Sequence, residues 1–305
     1  TLAEWQESSA NGTNWTPIGT STNPFEGTFD GQGHTISGLF LNTTESASGL
    51  FGTTGAKAEI KDFKLIDSYI KSTNSDVGLI GSGTFAKIEK VYTNAIMSVQ
   101  GNNVGGFIGC AYGSGADMCI SNCWFDGEIT QLGTQDAVAG FVGRTAAATG
   151  NVRPKFVVND CLNTGNVSGY THVGGFIGWH EFGDKTSGEL STWDNCLMVG
   201  SVVTEKSETV GSMFVGYYDT SGQTAFTASY ATGDVLVQGL TSYVSYNADA
   251  VKTRSDLYLA GVDTLFPDST AWSNDIGYND TDRGTPILTD FASWWMERKR
   301  FVRIL

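Results

Sequence analysis

The sequence predicts an all-β chain wound as a parallel β-helix of about seven rungs with short capping segments. Three observations predict it. One short phrase recurs along most of the chain, the segments between its copies show no helical periodicity, and glycine supplies 39 of the 305 residues while only 16% are charged.

The phrase appears as Gly49-Leu50-Phe51-Gly52, Val77-Gly78-Leu79-Ile80-Gly81, Val104-Gly105-Gly106-Phe107-Ile108-Gly109, Val138-Ala139-Gly140-Phe141-Val142-Gly143, Val173-Gly174-Gly175-Phe176-Ile177-Gly178 and Val210-Gly211-Ser212-Met213-Phe214-Val215-Gly216. A second phrase follows: Ile60-Lys61-Asp62-Phe63, Ile88-Glu89-Lys90-Val91, Ile120-Ser121-Asn122-Cys123, Val158-Asn159-Asp160-Cys161 and Trp193-Asp194-Asn195-Cys196. Units with short β-branched and aromatic runs exclude helical solenoids and βαβ folds, which need longer helical periods. The shortest repeat, 28 residues from Gly81 to Gly109, cannot close a core alone and must stack on its neighbours. It is also too short for a four-stranded propeller blade, the alternative architecture. In a stacked unit the glycines are expected at corners with positive φ. Cys123, Cys161 and Cys196 are expected to point inward, and Asn122, Asp160 and Asn195 to form a side-chain hydrogen-bond ladder. Cys110 and Cys119 flank one loop and are open to pairing in an oxidising compartment.

In chain order, residues 1–24 read as an N-terminal cap, with Thr1-Leu2-Ala3-Glu4 matching a capping box and Leu2 and Trp5 positioned to cover the first rung. Residues 25–240 carry the repeats, 241–290 a last rung and closing segment, and 291–305 an aromatic-basic tail. In that tail Phe291, Trp294, Trp295, Phe301 and Val302 follow helical spacing among Arg298, Lys299, Arg300 and Arg303. It reads as an end cap or a linker, or else as an interfacial or wall-binding anchor. Thr1 in place of an initiator Met fits a processed or trimmed N-terminus.

A composition 40% hydrophobic and 12% aromatic is enough for a sizeable core. Net charge −14 argues against nucleic acid, whose phosphates need a basic surface. No apolar run is long enough to span a bilayer as a helix, and no Cys/His zinc spacing occurs.

These residues resemble the GLUG-motif repeat proteins, named for the phrase at 49–52. The segments Trp15-Thr16-Pro17-Ile18-Gly19 and Pro24-Phe25-Glu26-Gly27-Thr28-Phe29-Asp30-Gly31-Gln32-Gly33-His34-Thr35-Ile36 look like the first rung of such modules. Trp272-Ser273 with Gly284-Thr285-Pro286-Ile287-Leu288 is similar to their usual end. The resemblance implies a right-handed β-helix within secreted or surface-attached microbial proteins, among them adhesins and the N-terminal region of immunoglobulin-A metallopeptidases. It implies no activity of the motif itself.

For a site, the residues after each phrase are the informative ones: Thr53, Ser82, Cys110, Arg144, Trp179 and Tyr217, followed by Tyr112, His180, Glu181, Tyr218 and Asp219. Stacked in register, Tyr112, Arg144, Trp179, His180, Tyr217 and Tyr218 are expected on one loop edge as a ligand-binding surface, where rings and polar groups together suit sugars. The loops 144–156 and 179–192 grow from that edge. A glycosidase would use Glu181 and Asp219, because carboxylates one rung apart approach the spacing of a retaining acid/nucleophile pair. The plain alternative is a solvated loop edge whose aromatics cover the rung beneath. His180-Glu181 opens like a zincin motif, but Asp184 stands where the second histidine belongs. His34 reads as a corner residue, and His172 as a residue without an evident partner. No cofactor is expected beyond Ca²⁺ at Asp30 or at Asn279-Asp280-Thr281-Asp282.

The expected function is a non-catalytic extracellular module of adhesin type, secreted or on a microbial cell surface, that binds a glycan or host surface protein along one face. The alternatives are a carbohydrate-active enzyme and a self-assembling surface protein.

Overall fold

The computed structural model describes residues 14–113, 116–146, 155–180, 191–206, 211–218, 224–232, 244–245, 252–274 and 285–302. Because each repeat places a like residue at a like position, successive repeats pair side by side as parallel strands. Phe51–Thr54, Ile80–Gly83, Ile108–Tyr112, Val142–Ala146, Ile177–His180 and Val215–Tyr218 form a first, six-stranded sheet. A twelve-stranded second sheet begins at Thr28–Ser37, Glu59–Ile66 and Lys87–Thr93. Phe40–Thr43, Tyr69–Ser72, Ile96–Val99, Glu128–Gln131, Asn166–Gly169 and Ser201–Thr204 make a six-stranded third, and Val104–Gly105, Asp136–Ala139 and Thr171–Gly174 a short fourth. In every one of these sheets, each strand's neighbours come from the coils before and after it. The chain is the expected parallel β-helix, not a propeller.

Register explains the core. Phe51, Ile80, Ile108, Val142, Ile177 and Val215 lie directly opposite one another and are fully buried. Beside them Phe107, Phe141, Phe176 and Phe214 stack with ring centroids 4.7, 4.9 and 5.9 Å apart, close to the rung spacing of about 4.8 Å. At the N-terminal end Phe25 and Phe29 pack on Phe51, closing the column from residues 14–37. The expected helix around Leu2 and Trp5 lies outside the described residues.

The corners are built differently from the expectation. Asp62, Lys90, Asn122, Asp160, Asn195 and Ala228 turn one corner with φ from 43 to 57°, and Ala47, Asp76, Asn103, Ala137 and His172 turn another with φ from 52 to 66°. Asn and Asp tolerate this left-handed region because their short side chains bond the local backbone. The Asn122, Asp160 and Asn195 series is therefore a backbone requirement, and no hydrogen bond joins these side chains among the described residues. The phrase glycines serve close approach instead: a Cβ at Gly109 would fall on the amide of Val77 in the coil before.

The cysteines of the second phrase follow from the same corner. Cys123, Cys161 and Cys196 Sγ donate to the carbonyls of Ser121, Asn159 and Asp194 at 3.3, 3.4 and 3.5 Å, and Ser229 Oγ does the same to Thr227 at 3.0 Å. The carbonyls of Asn159, Asp194 and Thr227 also accept the backbone amides of Asn122, Asp160 and Asn195, so the small buried side chain is their second donor. All five cysteines are free; Cys110 and Cys119 lie on different sheets and do not pair.

The described part of the C-terminal segment packs along a flank of the coil. On the outside of the second sheet Tyr92, Trp124, Leu162, Leu197 and Tyr230 stand in register as an apolar stripe. Along it lie helices α1 (Arg254–Ala260), α2 (Val262–Leu265) and α3 (Thr289–Val302), with the antiparallel pair Trp272–Ser273 and Ile287–Leu288. Trp294 meets Tyr92 at 4.6 Å, Trp295 meets Trp124 at 4.9 Å, and Phe266 meets Tyr230 at 5.7 Å. Lys90 pairs with Asp290 at 3.4 Å, and Trp272 Nε1 donates to Asp160 at 3.2 Å. Together these residues make a second hydrophobic cluster outside the coil. Three rings of the expected anchor, Phe291, Trp294 and Trp295, are thus committed to the molecule's own flank. No helix among the described residues is long and apolar enough to cross a membrane.

Candidate functional site

The first sheet carries the site. One position along it forms the column Thr53, Ser82, Cys110, Arg144, Trp179 and Tyr217, each directly opposite the next; Ser82 and Cys110 are buried, while Thr53, Arg144, Trp179 and Tyr217 are partly exposed. The next residue along each strand, Ala111, Thr145, His180 or Tyr218, is buried. His180 and Tyr218 are accordingly 1% exposed, which corrects their expected place on the binding edge. His180 Nδ1 lies 2.8 Å from Thr145 Oγ1, and burial pushes its pKa down to about 3. The strands also run further than expected, to Ala146 and His180, so Arg144 and Trp179 sit on rigid sheet, not in loops.

The outward groups touch one another. The Arg144 guanidinium lies over the Trp179 ring at 4.3 Å. Trp179 meets Tyr217 edge to face at 5.9 Å. The second left-handed corner runs alongside and adds His172, whose ring is 4.3 Å from Tyr217 and 5.2 Å from Trp179, with Nδ1 3.5 Å from Asp136. Sequence reasoning missed His172; the signal was its place one residue before Val173, equivalent to Asp76 before Val77. Tyr112 stands two residues beyond Cys110 and is exposed, and burial of part of its ring raises the phenol pKa. Asp76 accepts from Asn103 Nδ2 at 2.7 Å; burial raises its pKa, partly offset by that bond and by Arg144. Asn103 Oδ1 and Trp179 Nε1 are buried and find no partner among the described residues, so the patch is not fully satisfied internally.

Other expected groups are elsewhere. Asp30 pairs with Lys61 at 3.4 Å and accepts from the Gln32 amide at 3.0 Å. His34 is exposed within strand Thr28–Ser37, just past a register shift. Glu181, Asp219 and the acidic run 279–282 lie outside the described residues. Among the described residues no group of three or more His, Cys, Asp or Glu side chains is placed to hold a metal ion.

No family model matches the chain. Over 83 residues, 26% of its length, it is 34% identical to a provisionally named Gly-rich membrane protein of Evansella cellulosilytica. Over 195 residues, 56% of its length, it is 29% identical to halomucin of Haloquadratum walsbyi. The matches span 10% and 2% of those two proteins, so the chain covers a small part of each. In three dimensions it is similar to the crystal structure of a provisionally named immunoglobulin A1 protease from Bacteroides ovatus. That likeness covers 92% of this chain and 83% of the other with a TM-score of 0.57, at 16% identity, and concerns the fold alone.

Proposed function

We propose that the chain is a non-catalytic module of a secreted or cell-surface protein, and that it binds a glycan with the outward column of the first sheet. The observation that carries this reading is the column itself. Arg144, Trp179 and Tyr217 stand one rung apart on a rigid sheet, with Tyr112 and His172 beside them. A ladder of ring edges and hydrogen-bonding groups at a fixed spacing of about 4.8 Å suits an extended ligand with many hydroxyl groups. The names of the two relatives and the kinship in fold with the immunoglobulin A1 protease support a surface or secreted setting. The GLUG-type resemblance points the same way.

The test is a glycan array probed with the purified chain and with Trp179→Ala and Tyr217→Ala. Specific binding that weakens at least tenfold in both variants is expected. Binding that both variants retain, or none at all, would remove the reading.

A further inference from the structure

We infer that His172 is a positioning residue of the binding face, a corner imidazole that holds the Trp179 and Tyr217 rings in the arrangement they present; the inference rests on the glycan-binding reading above. The second left-handed corner repeats along the coil as Ala47, Asp76, Asn103, Ala137 and His172, with φ from 52 to 66°. Asn and Asp suit that backbone because their short side chains bond locally, so the corner itself asks for no ring. Of these residues only His172 carries one, in the same coil as Trp179 and one coil before Tyr217. In the coils before it the corner and the column carry Asp76 with Ser82, Asn103 with Cys110, and Ala137 with Arg144. A ring enters the corner where rings enter the column.

The three rings close a triangle. His172 lies 4.3 Å from Tyr217 at an interplanar angle of 32° and 5.2 Å from Trp179 at 61°, and Trp179 meets Tyr217 at 5.9 Å and 90°. A fourth group holds the imidazole from the coil before: its Nδ1 faces Asp136 Oδ2 at 3.5 Å, the two side chains being 17% and 27% exposed. Contact therefore runs through three successive coils, from Asp136 through His172 to Tyr217. Trp179 and Tyr217 are partly exposed, and a partly exposed ring keeps rotamer freedom that binding would have to remove. The imidazole removes that freedom in advance, so a sugar meets a face already ordered. His172 acts through the two rings and needs no contact with the sugar itself.

The experiment compares the purified chain with His172→Asn and His172→Phe on an array of immobilised neutral and acidic oligosaccharides. Urea unfolding midpoints and the aromatic NMR signals of Tyr217, assigned with Tyr217→Phe, are measured on the same proteins. Asparagine suits the corner and removes the ring, whereas phenylalanine strains the corner and returns the ring. His172→Asn is therefore expected to keep a midpoint close to wild type and to lose the cross-peaks between Tyr217 and Trp179. It should bind about three- to tenfold more weakly, the scale of one side chain ordered on binding. His172→Phe is expected to unfold at lower urea and yet to keep those cross-peaks and an affinity close to wild type. Affinity that instead follows stability across the two variants would overturn the positioning role, because that is the order a merely structural histidine gives. Wild-type affinity in His172→Asn would overturn it too, and both outcomes leave glycan binding intact. Silence of the wild type across the whole array would remove the glycan reading and this role with it.

Discussion

Two outward aromatic columns run along this solenoid, and they meet different fates. On the second sheet Tyr92, Trp124, Leu162, Leu197 and Tyr230 are buried beneath the C-terminal segment. On the first sheet Arg144, Trp179 and Tyr217 remain partly open. Both arise from the same repeat logic, a like residue in every coil. The difference lies in the chemistry of the middle of each column. Leucine offers nothing to solvent and must be covered, whereas arginine and tyrosine carry polar tips that water or a ligand can meet. Rings in a solenoid column therefore do not by themselves mark a binding face; the residues between them decide.

The comparison breaks most sharply with one pair of substitutions. Trp124→Ala empties a site 2% exposed, against Tyr92 and Trp295, and should cost about 3–5 kcal/mol of stability. Trp179→Ala, by contrast, should cost no more than about 1–2 kcal/mol, from its cation–π and ring contacts, while reducing ligand binding. Urea unfolding midpoints of the two variants measure this directly, and equal losses would erase the distinction.

A smaller effect distinguishes the inner from the outer residue of the same strand. The His180 pKa is held near 3 by burial, against about 6.5 for an exposed imidazole. Between those values the unfolded chain binds a proton that the folded chain does not. The chain is therefore expected to lose about 1.4 kcal/mol per pH unit through this group as pH falls below 6.5, with full stability above it. Stability measured from pH 7 to 5 in wild type and His180→Gln should show a shallower slope in the variant. An unchanged slope would mean that His180 is protonated in the fold.

The smallest expected effect concerns the corners. Ala228 occupies a left-handed corner, φ 43°, where its equivalents are mostly Asp and Asn. Ala228→Gly should stabilise by less than about 1 kcal/mol, the relief of a Cβ from that conformation net of chain entropy. A clear loss of stability would show that the corner tolerates alanine without strain.

Much of the site was legible because the column is a property of the repeat. Counting from each closing glycine places Cys110, Arg144, Trp179 and Tyr217 at one position, and the strands pair them in that register. Two parts were misread. Trp179 and His180, or Tyr217 and Tyr218, are consecutive, and consecutive residues of a strand cannot share a face. His172 was passed over because its ring reaches the column from a corner of the same coil, and its place before Val173, equivalent to Asp76 before Val77, was the signal for that corner.

The sequence by itself determined the architecture of this protein: a repeat too short to bury its own core has to stack, and stacking aligns like with like. Tertiary structure decided what the repeat could not express. It placed helix α3 of the non-repetitive C-terminal segment on the flank at Tyr92 and Trp124, because that stripe offered apolar area needing cover. By the same step it left the Arg144 column partly exposed, since that face already satisfied its rings on one another.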